Sequence, residues 1–133
     1  MSQVDPITFE VLSHRLWAIN EEGAAALRLI SGSPVATEVH DFNTSLLSPE
    51  GDAFVVGPYI VAQAVSQQVI VKNILKDYGE NPGIGPDDVF ITNDPYTGAL
   101  HQNDVTCVAP IHYNGELMAW AGATIHEVDV GAR

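Results

Sequence analysis

Apolar positions near the N-terminus recur at alternating steps of three and four, which is the period of an α-helix. They are Phe9, Leu12, Leu16, Ile19, Gly23, Ala26 and Ile30. Asp5 and Pro6 suit an N-cap and a first helical turn, and residues 31–34 (SGSP) end the pattern. We predict a helix of about seven turns. It is long for a chain of 133 residues, so its partner element lies outside these residues or, as we prefer, it is an ordinary core helix.

Two further patterns predict a β-hairpin and a second helix. Residues 39–47 and 52–56 are typical of strands, and the intervening SPEG is a turn sequence. Asp41 then falls inside the first strand, where an exposed orientation is the default for a charged side chain. Five apolar residues mark the inner face of the second helix, which should end at Gly79: Val61, Ala64, Val71, Leu75 and Tyr78.

The strongest local signal is Asn114-Gly115 between two apolar runs, the preferred sequence of a two-residue type I′ hairpin. This turn sets Tyr113 opposite Glu116. A regular ladder then places Pro110 opposite Ala119 and residue 103 opposite residue 126. Because proline has no N–H, the other side of Pro110 should be a sheet edge or a bulge. With the short strand predicted at residues 89–92, the patterns indicate an α+β fold. The long N-terminal helix and the second helix pack on mainly antiparallel hairpins.

The same register brings His126 beside the turn that carries His101 and Asp104. Two imidazoles and a carboxylate form a ligand set that suits Zn²⁺, Mn²⁺ or Fe²⁺. Such an ion polarises a carbonyl and lowers the pKa of water, as a hydrolase requires. Strict alternation, however, puts Asp104 and His126 on opposite faces. The site therefore requires the ladder to end or bulge near Asp104.

Composition excludes several classes of protein. The 46% hydrophobic and 17% charged fractions are those of a folded globular chain. A net charge of −12 argues against nucleic acid as a ligand. The single cysteine, Cys107, lies in an apolar run, where we expect a small buried hydrophobe, and it cannot form an internal disulfide. We expect a cytoplasmic chain without a membrane span or a glycine-rich phosphate loop, so ATP would not be bound by this chain.

Five segments together resemble the N-terminal part of the hydantoinase B family. They are DPITFEVL, EEGAAALR, DFNTSLLSPEG, DDVFITNDPYTGALHQNDV and GELMAWAGATIHEVDVG. The family includes metal-carrying subunits of ATP-dependent hydantoinases, 5-oxoprolinase and caprolactamase, and subunits of acetone and acetophenone carboxylases. Family subunits are several times longer, so the resemblance implies that residues 1–133 are a single N-terminal metal-binding region of a larger, apparently truncated subunit.

The resemblance also implies a site. The family's metal ligands fall on His101, Asp104 and His126, with Asp41 as a further ligand. Asp129 would act at the substrate or behind the ligands, and Asn93 and Asp94 would shape the turn behind the site.

The chain departs from the family's usual pattern at three places. They are residues 98–104 (GALHQND), Gly131-Ala132, and the neighbourhood of Gln63, where a histidine is common before the second helix.

By resemblance, the chain is the metal-binding catalytic subunit of an ATP-dependent cyclic-amide hydrolase. A hydantoinase A-like partner subunit would bind ATP and phosphorylate the hydantoin, oxoproline or lactam oxygen, and water activated by the ion would attack the activated carbon. Two alternatives stay open: a subunit of an ATP-dependent ketone carboxylase, and a non-catalytic assembly fragment. Both the hydrolase and the carboxylase predict a hetero-oligomer.

Overall fold

The computed structural model describes residues 4–131, so Ala132 lies outside the described residues. Three helices and five strands follow one another along the chain: α1 (Pro6–Ile30), α2 (Pro34–Val39), β1 (Phe42–Leu47), β2 (Ala53–Val56), α3 (Val61–Tyr78), β3 (Phe90–Thr92), β4 (Asp104–Tyr113) and β5 (Glu116–His126). The strands form one antiparallel sheet in the order β2-β1-β5-β4-β3. The predicted α+β class is confirmed.

Helix α1 begins as the sequence predicts, but its apolar stripe is largely exposed. The Asp5 carboxylate accepts hydrogen bonds from the backbone N–H groups of Ile7 and Thr8, and the Thr8 hydroxyl and amide lower the pKa of Asp5. Phe9 and Ile30 are 61% and 81% exposed. The helix buries only Asn20 and Ala24. The preference for an ordinary core helix is therefore wrong within the described residues, because α1 contacts the sheet through a narrow strip only.

The strand predicted at residues 39–47 is shorter than expected. Its first residue, Val39, belongs to α2, a short helix that the sequence patterns did not predict, and His40 caps this helix with a left-handed φ of 61°. Asp41 therefore immediately precedes β1 instead of lying inside it. Its backbone carbonyl accepts a hydrogen bond from the His126 N–H, so the carboxylate is carried at the end of a sheet pairing and is only partly exposed.

Helix α3 ends at Gly79 as predicted, and its buried face includes Ala64 and Val71 of the predicted stripe but not the whole stripe. Val61 and Tyr78 are 59% and 47% exposed. The buried face instead combines apolar and polar residues: Gln63, Ala64, Ser66, Gln67, Ile70, Val71 and Ile74. Gly79 follows the helix with a right-handed φ of −56° and so is not a left-handed C-cap. The apolar half of this face packs on the core around Trp120 and Leu47.

The β4–β5 hairpin contains one irregularity that determines which residues face each other. Asn114 and Gly115 both have positive φ, as the type I′ turn requires, and Tyr113 faces Glu116. Between Ile111 and His112 the register shifts by one residue. From there Pro110 faces Trp120 and Asp104 faces His126, so the regular register predicted from the turn is wrong beyond the second pair.

This bulge resolves the conflict over alternation. Because Asp104 and His126 are directly opposed, their side chains leave the same face of the sheet. The expected break near Asp104 is unnecessary, since the irregularity lies at the other end of the hairpin, next to the turn. Pro110 borders an unpaired edge on its other side, as predicted, because β3 reaches only as far as Val108.

The face of the sheet beneath α3 changes from apolar to polar along the strands. Its apolar end contains Leu47 and the directly opposed pair Trp120 and Pro110. Its polar end contains a cross-strand row of Asn43, Thr124 and Thr106, followed by a final row of Asp41, His126 and Asp104. The polar end of the sheet therefore carries the predicted ligands.

Cys107 lies on the opposite face of the sheet and is half-buried. Burial raises the pKa of its thiol, which disfavours the nucleophilic thiolate. No helix of the described residues is long and apolar enough to cross a membrane.

We expect Gly122→Ala to lower the free energy of unfolding by about 1–3 kcal/mol, because a core without free space tolerates added atoms poorly. A Cβ on Gly122 would lie 3.0 Å from the buried Gln67 Cδ and closer still to its Oε1. Urea denaturation measures the change. Gly23→Ala is the matched control, since its Cβ meets nothing within 4 Å and alanine favours a helix. Equal stability of Gly122→Ala and wild type would contradict the packing described here.

Candidate metal centre

Three residues form a group whose side-chain ligand atoms all lie within 4.8 Å of one another: His101, Asp104 and His126. Asp104 begins β4 and His126 ends β5, directly opposite. His101 occupies the turn before β4, where its carbonyl accepts a hydrogen bond from the Asp104 N–H at 3.0 Å. The structure thus brings together the three ligands predicted from the hairpin.

The separations between these ligand atoms suit a small divalent cation. His101 Nδ1 lies 3.4 Å from Asp104 Oδ2, and His126 Nδ1 lies 3.3 Å from Asp104 Oδ1. Ligands about 2.0–2.1 Å from a tetrahedral ion lie about 3.3 Å apart. The two imidazole rings meet edge to face with centroids 4.8 Å apart. The two histidine–carboxylate separations therefore match the spacing of neighbouring ligands around one ion.

The Asp104 carboxylate is the least exposed of the three, and one of its oxygens lacks a hydrogen bond. Asp104 is 1% exposed, and its Oδ2 atom makes no hydrogen bond. Within residues 4–131, the ion pairs of Asp41 and Asp104 involve histidines only. A buried carboxylate without a cationic partner is costly. A bound divalent cation would remove that cost, so the residues present fit a metal ion.

Asp41 lies beside this group, outside the tightest cluster. Its Oδ2 atom is 3.9 Å from His126 Nδ1. The Gln63 side chain on α3 joins it to Asp104, since Gln63 Nε2 donates to Asp41 Oδ1 at 2.9 Å and to Asp104 Oδ1 at 3.2 Å. Asp41 is thus placed where it could complete a four-ligand site.

Backbone and side-chain hydrogen bonds anchor the segments that carry these ligands. Asn103 Nδ2 donates to the carbonyl of Glu127 at 2.8 Å, and the Ser33 hydroxyl donates to the carbonyl of His126 at 2.8 Å. Asn93 Nδ2 donates to the Gln102 carbonyl at 2.9 Å, next to His101. These bonds tie the turn that carries His101 to the segment that follows His126 and to the turn at Asn93.

The turn behind the site has the predicted chemistry. The Asp94 carboxylate accepts a hydrogen bond from the Tyr96 N–H at 2.9 Å, which is an Asx turn. The Asp94 carbonyl also accepts from the N–H groups of Thr97 and Ala99. Asn93 and Asp94 thus shape the chain that leads to His101.

Asp129 is not part of the ligand cluster. It is exposed, and its carboxylate accepts a hydrogen bond from the Gly131 N–H at 2.7 Å. His14 and His40 also lie outside this cluster: His14 is paired with Glu10 on the exposed side of α1, and His40 contacts Arg28 at 3.0 Å. Neither belongs to the centre.

Gln63 is the site residue that spacing alone did not reveal. It lies in the first turn of α3, not in a loop before it, and is 1% exposed. The available signal was a pair of glutamines four residues apart, Gln63 and Gln67, which share a helix face with Ile70 and Ile74. Such a polar pair on an otherwise apolar face indicates buried hydrogen bonding.

An α+β domain with a histidine–carboxylate cluster at the end of an antiparallel sheet is the class of structure that these observations define. The chain belongs to the Hydantoinase B/oxoprolinase family, whose model matches residues 5–133. The family resemblance inferred from the sequence is confirmed.

Three similar proteins place the chain within much longer relatives. An uncharacterized protein of Methanocaldococcus jannaschii is 37% identical over 96% of this chain and 23% of its own length. The 5-oxoprolinase of Dictyostelium discoideum is 31% identical over 98% of this chain and 10% of its own length. A nucleotide-free structure of acetone carboxylase superposes with a TM-score of 0.90 at 27% identity, over 96% of this chain and 17% of that one. The chain thus spans less than a quarter of each relative.

We expect Asp104→Asn to abolish the stabilisation that a divalent ion gives the chain. Without metal, the free energy of unfolding of the variant should exceed that of wild type by about 1–3 kcal/mol, because an amide replaces a buried, incompletely paired carboxylate. Thermal unfolding with EDTA and with Zn²⁺ measures both effects. Asp87→Asn, an equal change of charge at an exposed residue, should unfold like wild type. A zinc-dependent rise in Tm that persists in Asp104→Asn would refute the assignment.

Proposed function

We propose that this chain is the metal-binding region of the catalytic subunit of an ATP-dependent cyclic-amide hydrolase. The observation that carries the proposal is the buried Asp104 carboxylate, which lies between two imidazoles with one oxygen unpaired. Membership of the Hydantoinase B/oxoprolinase family and 31% identity to a 5-oxoprolinase support the class of substrate. Hydantoins, oxoproline and lactams share the cyclic amide that such an enzyme would open.

Four side chains would hold the ion: His101, Asp104, His126 and Asp41. A divalent ion such as Zn²⁺, Mn²⁺ or Fe²⁺ supplies Lewis acidity, which polarises a carbonyl and lowers the pKa of water. Asp104 contributes the buried negative charge that retains the ion. His126 and Asp41, both only partly exposed, fix its position against the end of the sheet.

His101 defines the side from which substrate approaches. Its side chain is 56% exposed, whereas the Asp104 side chain is 1% exposed and that of His126 is 22% exposed. The centre is therefore closed beneath α3 and open towards the turn that carries His101. Asp129 is exposed on the segment that follows β5. In this proposal it acts on the substrate, by binding it or by exchanging a proton with it.

The proposal assigns ATP to a hydantoinase A-like partner subunit. Phosphorylation of the amide oxygen there would convert a poor electrophile into one that water can attack. The ring C–N bond would then break with the nitrogen leaving as an amine, and a second water would release phosphate from the resulting acyl phosphate. The described residues supply carboxylates and imidazoles, which suit a metal ion, and the chain's net charge of −12 disfavours a polyphosphate ligand. The assembly is then a hetero-oligomer, and its place is the cytoplasm, where ATP is available.

A second candidate function is a subunit of an ATP-dependent ketone carboxylase. The TM-score of 0.90 to acetone carboxylase favours it, because the same centre on the same fold could orient an activated ketone for bond formation to a carboxyl donor. The two functions share the metal ligands and differ in the substrate. A third candidate, a non-catalytic assembly fragment, has the same fold without a functional ion site.

We expect His126→Ala to reduce ATP-dependent turnover at least 100-fold in the complex with the ATP-binding subunit, because a ligand of the ion is lost. His14→Ala is the control, since His14 is exposed on α1, away from the cluster. Turnover is measured as ring-opened product per ATP with hydantoin, 5-oxoproline and caprolactam. Full activity and full metal content of His126→Ala would exclude the proposed role.

The hydrolase and the carboxylase are separated by product analysis of the same complex. We expect ring opening of a cyclic amide that requires ATP, with no incorporation of labelled bicarbonate into acetone or acetophenone. Labelled carboxylate in a ketone product, without amide hydrolysis, would instead establish the carboxylase. If the chain binds its partner subunit but the complex contains no metal, the chain is an assembly fragment.

A further inference from the structure

Gln63 is placed to act on both carboxylates of the centre at once. Its Nε2 atom lies 2.9 Å from Asp41 Oδ1 and 3.2 Å from Asp104 Oδ1. A side-chain amide carries two N–H donors, so one nitrogen can serve both acceptors. The residue is 1% exposed, and water therefore competes little for these bonds.

The two carboxylates fix the orientation of this amide. Rotating it by half a turn would place Oε1 against two negatively charged groups and lose both hydrogen bonds. In the observed orientation Oε1 is buried without a hydrogen-bond partner, so Gln63 leaves one acceptor unsatisfied while it donates to both acids. An unsatisfied buried acceptor has a cost. Its persistence here indicates that the contacts to Asp41 and Asp104 are the stronger requirement.

The amide also determines which carboxylate oxygens are free. It contacts the Oδ1 atom of each acid, which leaves Asp41 Oδ2 facing His126 Nδ1 at 3.9 Å and Asp104 Oδ2 facing His101 Nδ1 at 3.4 Å. Asp104 Oδ1 is shared with His126 Nδ1 at 3.3 Å. Each acid is thus turned so that its second oxygen points towards an imidazole that would bind the same ion.

One turn further along α3, Gln67 bonds the helix to β1 and β5. Its Nε2 atom donates to the Asn43 carbonyl at 3.2 Å and to the Thr124 hydroxyl at 2.9 Å, and its Oε1 atom accepts from the Ser45 hydroxyl. Thr124 in turn bonds Thr106 at 2.8 Å. The backbone distance between Gln63 and the acids is therefore fixed independently of Gln63 itself.

We propose that Gln63 is a positioning residue of the metal centre, which orients Asp41 and Asp104 and so sets the affinity and coordination geometry of the ion. This inference rests on the proposed metal centre. Helix α3 supplies no ligand of the ion, but through Gln63 it orients the two acids that the sheet supplies. Residues that orient metal ligands in this way typically change metal affinity 10- to 100-fold when they are replaced.

The test compares Gln63→Met with Gln68→Met in the whole chain. Both replace a glutamine of α3 by a residue of similar length, but the Gln68 side chain accepts a hydrogen bond from the backbone N–H of Ala53, remote from the acids. Calorimetric titration with Mn²⁺ should give a 10- to 100-fold weaker affinity for Gln63→Met and an unchanged affinity for Gln68→Met. At saturating Mn²⁺, the electron paramagnetic resonance spectrum of Gln63→Met should differ from that of wild type, which loss of stability alone would not cause.

Gln63→Asn provides a second variant should methionine prevent folding. Its amide is one methylene shorter and can reach only one carboxylate, so its affinity should lie between those of wild type and Gln63→Met. Wild-type affinity and spectra in a folded Gln63 variant would overturn the inference. His126→Ala separates this failure from that of the metal centre: if His126→Ala also binds Mn²⁺ as wild type does, the centre itself is wrong.

Discussion

The burial of one carboxylate is the constraint on which the candidate site depends. Asp104 is 1% exposed at the end of a sheet pairing, and in the described residues its ion-pair partners are imidazoles only. Such a group is stable when a cation or several hydrogen bonds compensate its charge. His126 on the opposed strand, His101 on the preceding turn and Gln63 on α3 all converge on this one side chain.

The fold supplies that convergence through a gradient beneath α3. At one end of the sheet, Trp120 and Leu47 form an apolar core with the helix. At the other end, Gln67 and a threonine pair form a fully bonded polar row, and the ligands follow as the last row. The apolar core thus fixes α3 on the sheet. The polar row lies between this core and the ligands, so the ligands are positioned by packed helix and sheet and not by an exposed loop.

A single inserted residue near the hairpin turn makes the last row possible. The sequence predicted the turn, because Asn114-Gly115 has few alternatives. It did not predict the shift between Ile111 and His112, because a bulge is selected by packing on both faces of the strand and not by a local motif. Without that shift, Asp104 and His126 would leave opposite faces of the sheet.

The limits of sequence patterns are the same elsewhere in the chain. Both ends of α1 and the end of α3 at Gly79 followed from capping and turn residues, yet the stripe on α1 is largely exposed and the buried face of α3 is half polar. Hydrophobic periodicity identifies the apolar face of a helix but not the element that packs against it. A buried glutamine that bonds residues far away in the chain leaves no local sequence pattern. Asp41 was predicted as a ligand only from the family resemblance, because 85 positions of the chain separate it from His126.

The most direct test of the metal centre is anomalous diffraction from crystals of the chain grown with Zn²⁺ or Mn²⁺. The account predicts one strong peak about 2.0–2.2 Å from a nitrogen of His101, a nitrogen of His126 and an oxygen of Asp104, with an Asp41 oxygen as the fourth ligand. A peak elsewhere, or none while these side chains keep the positions described here, would contradict it.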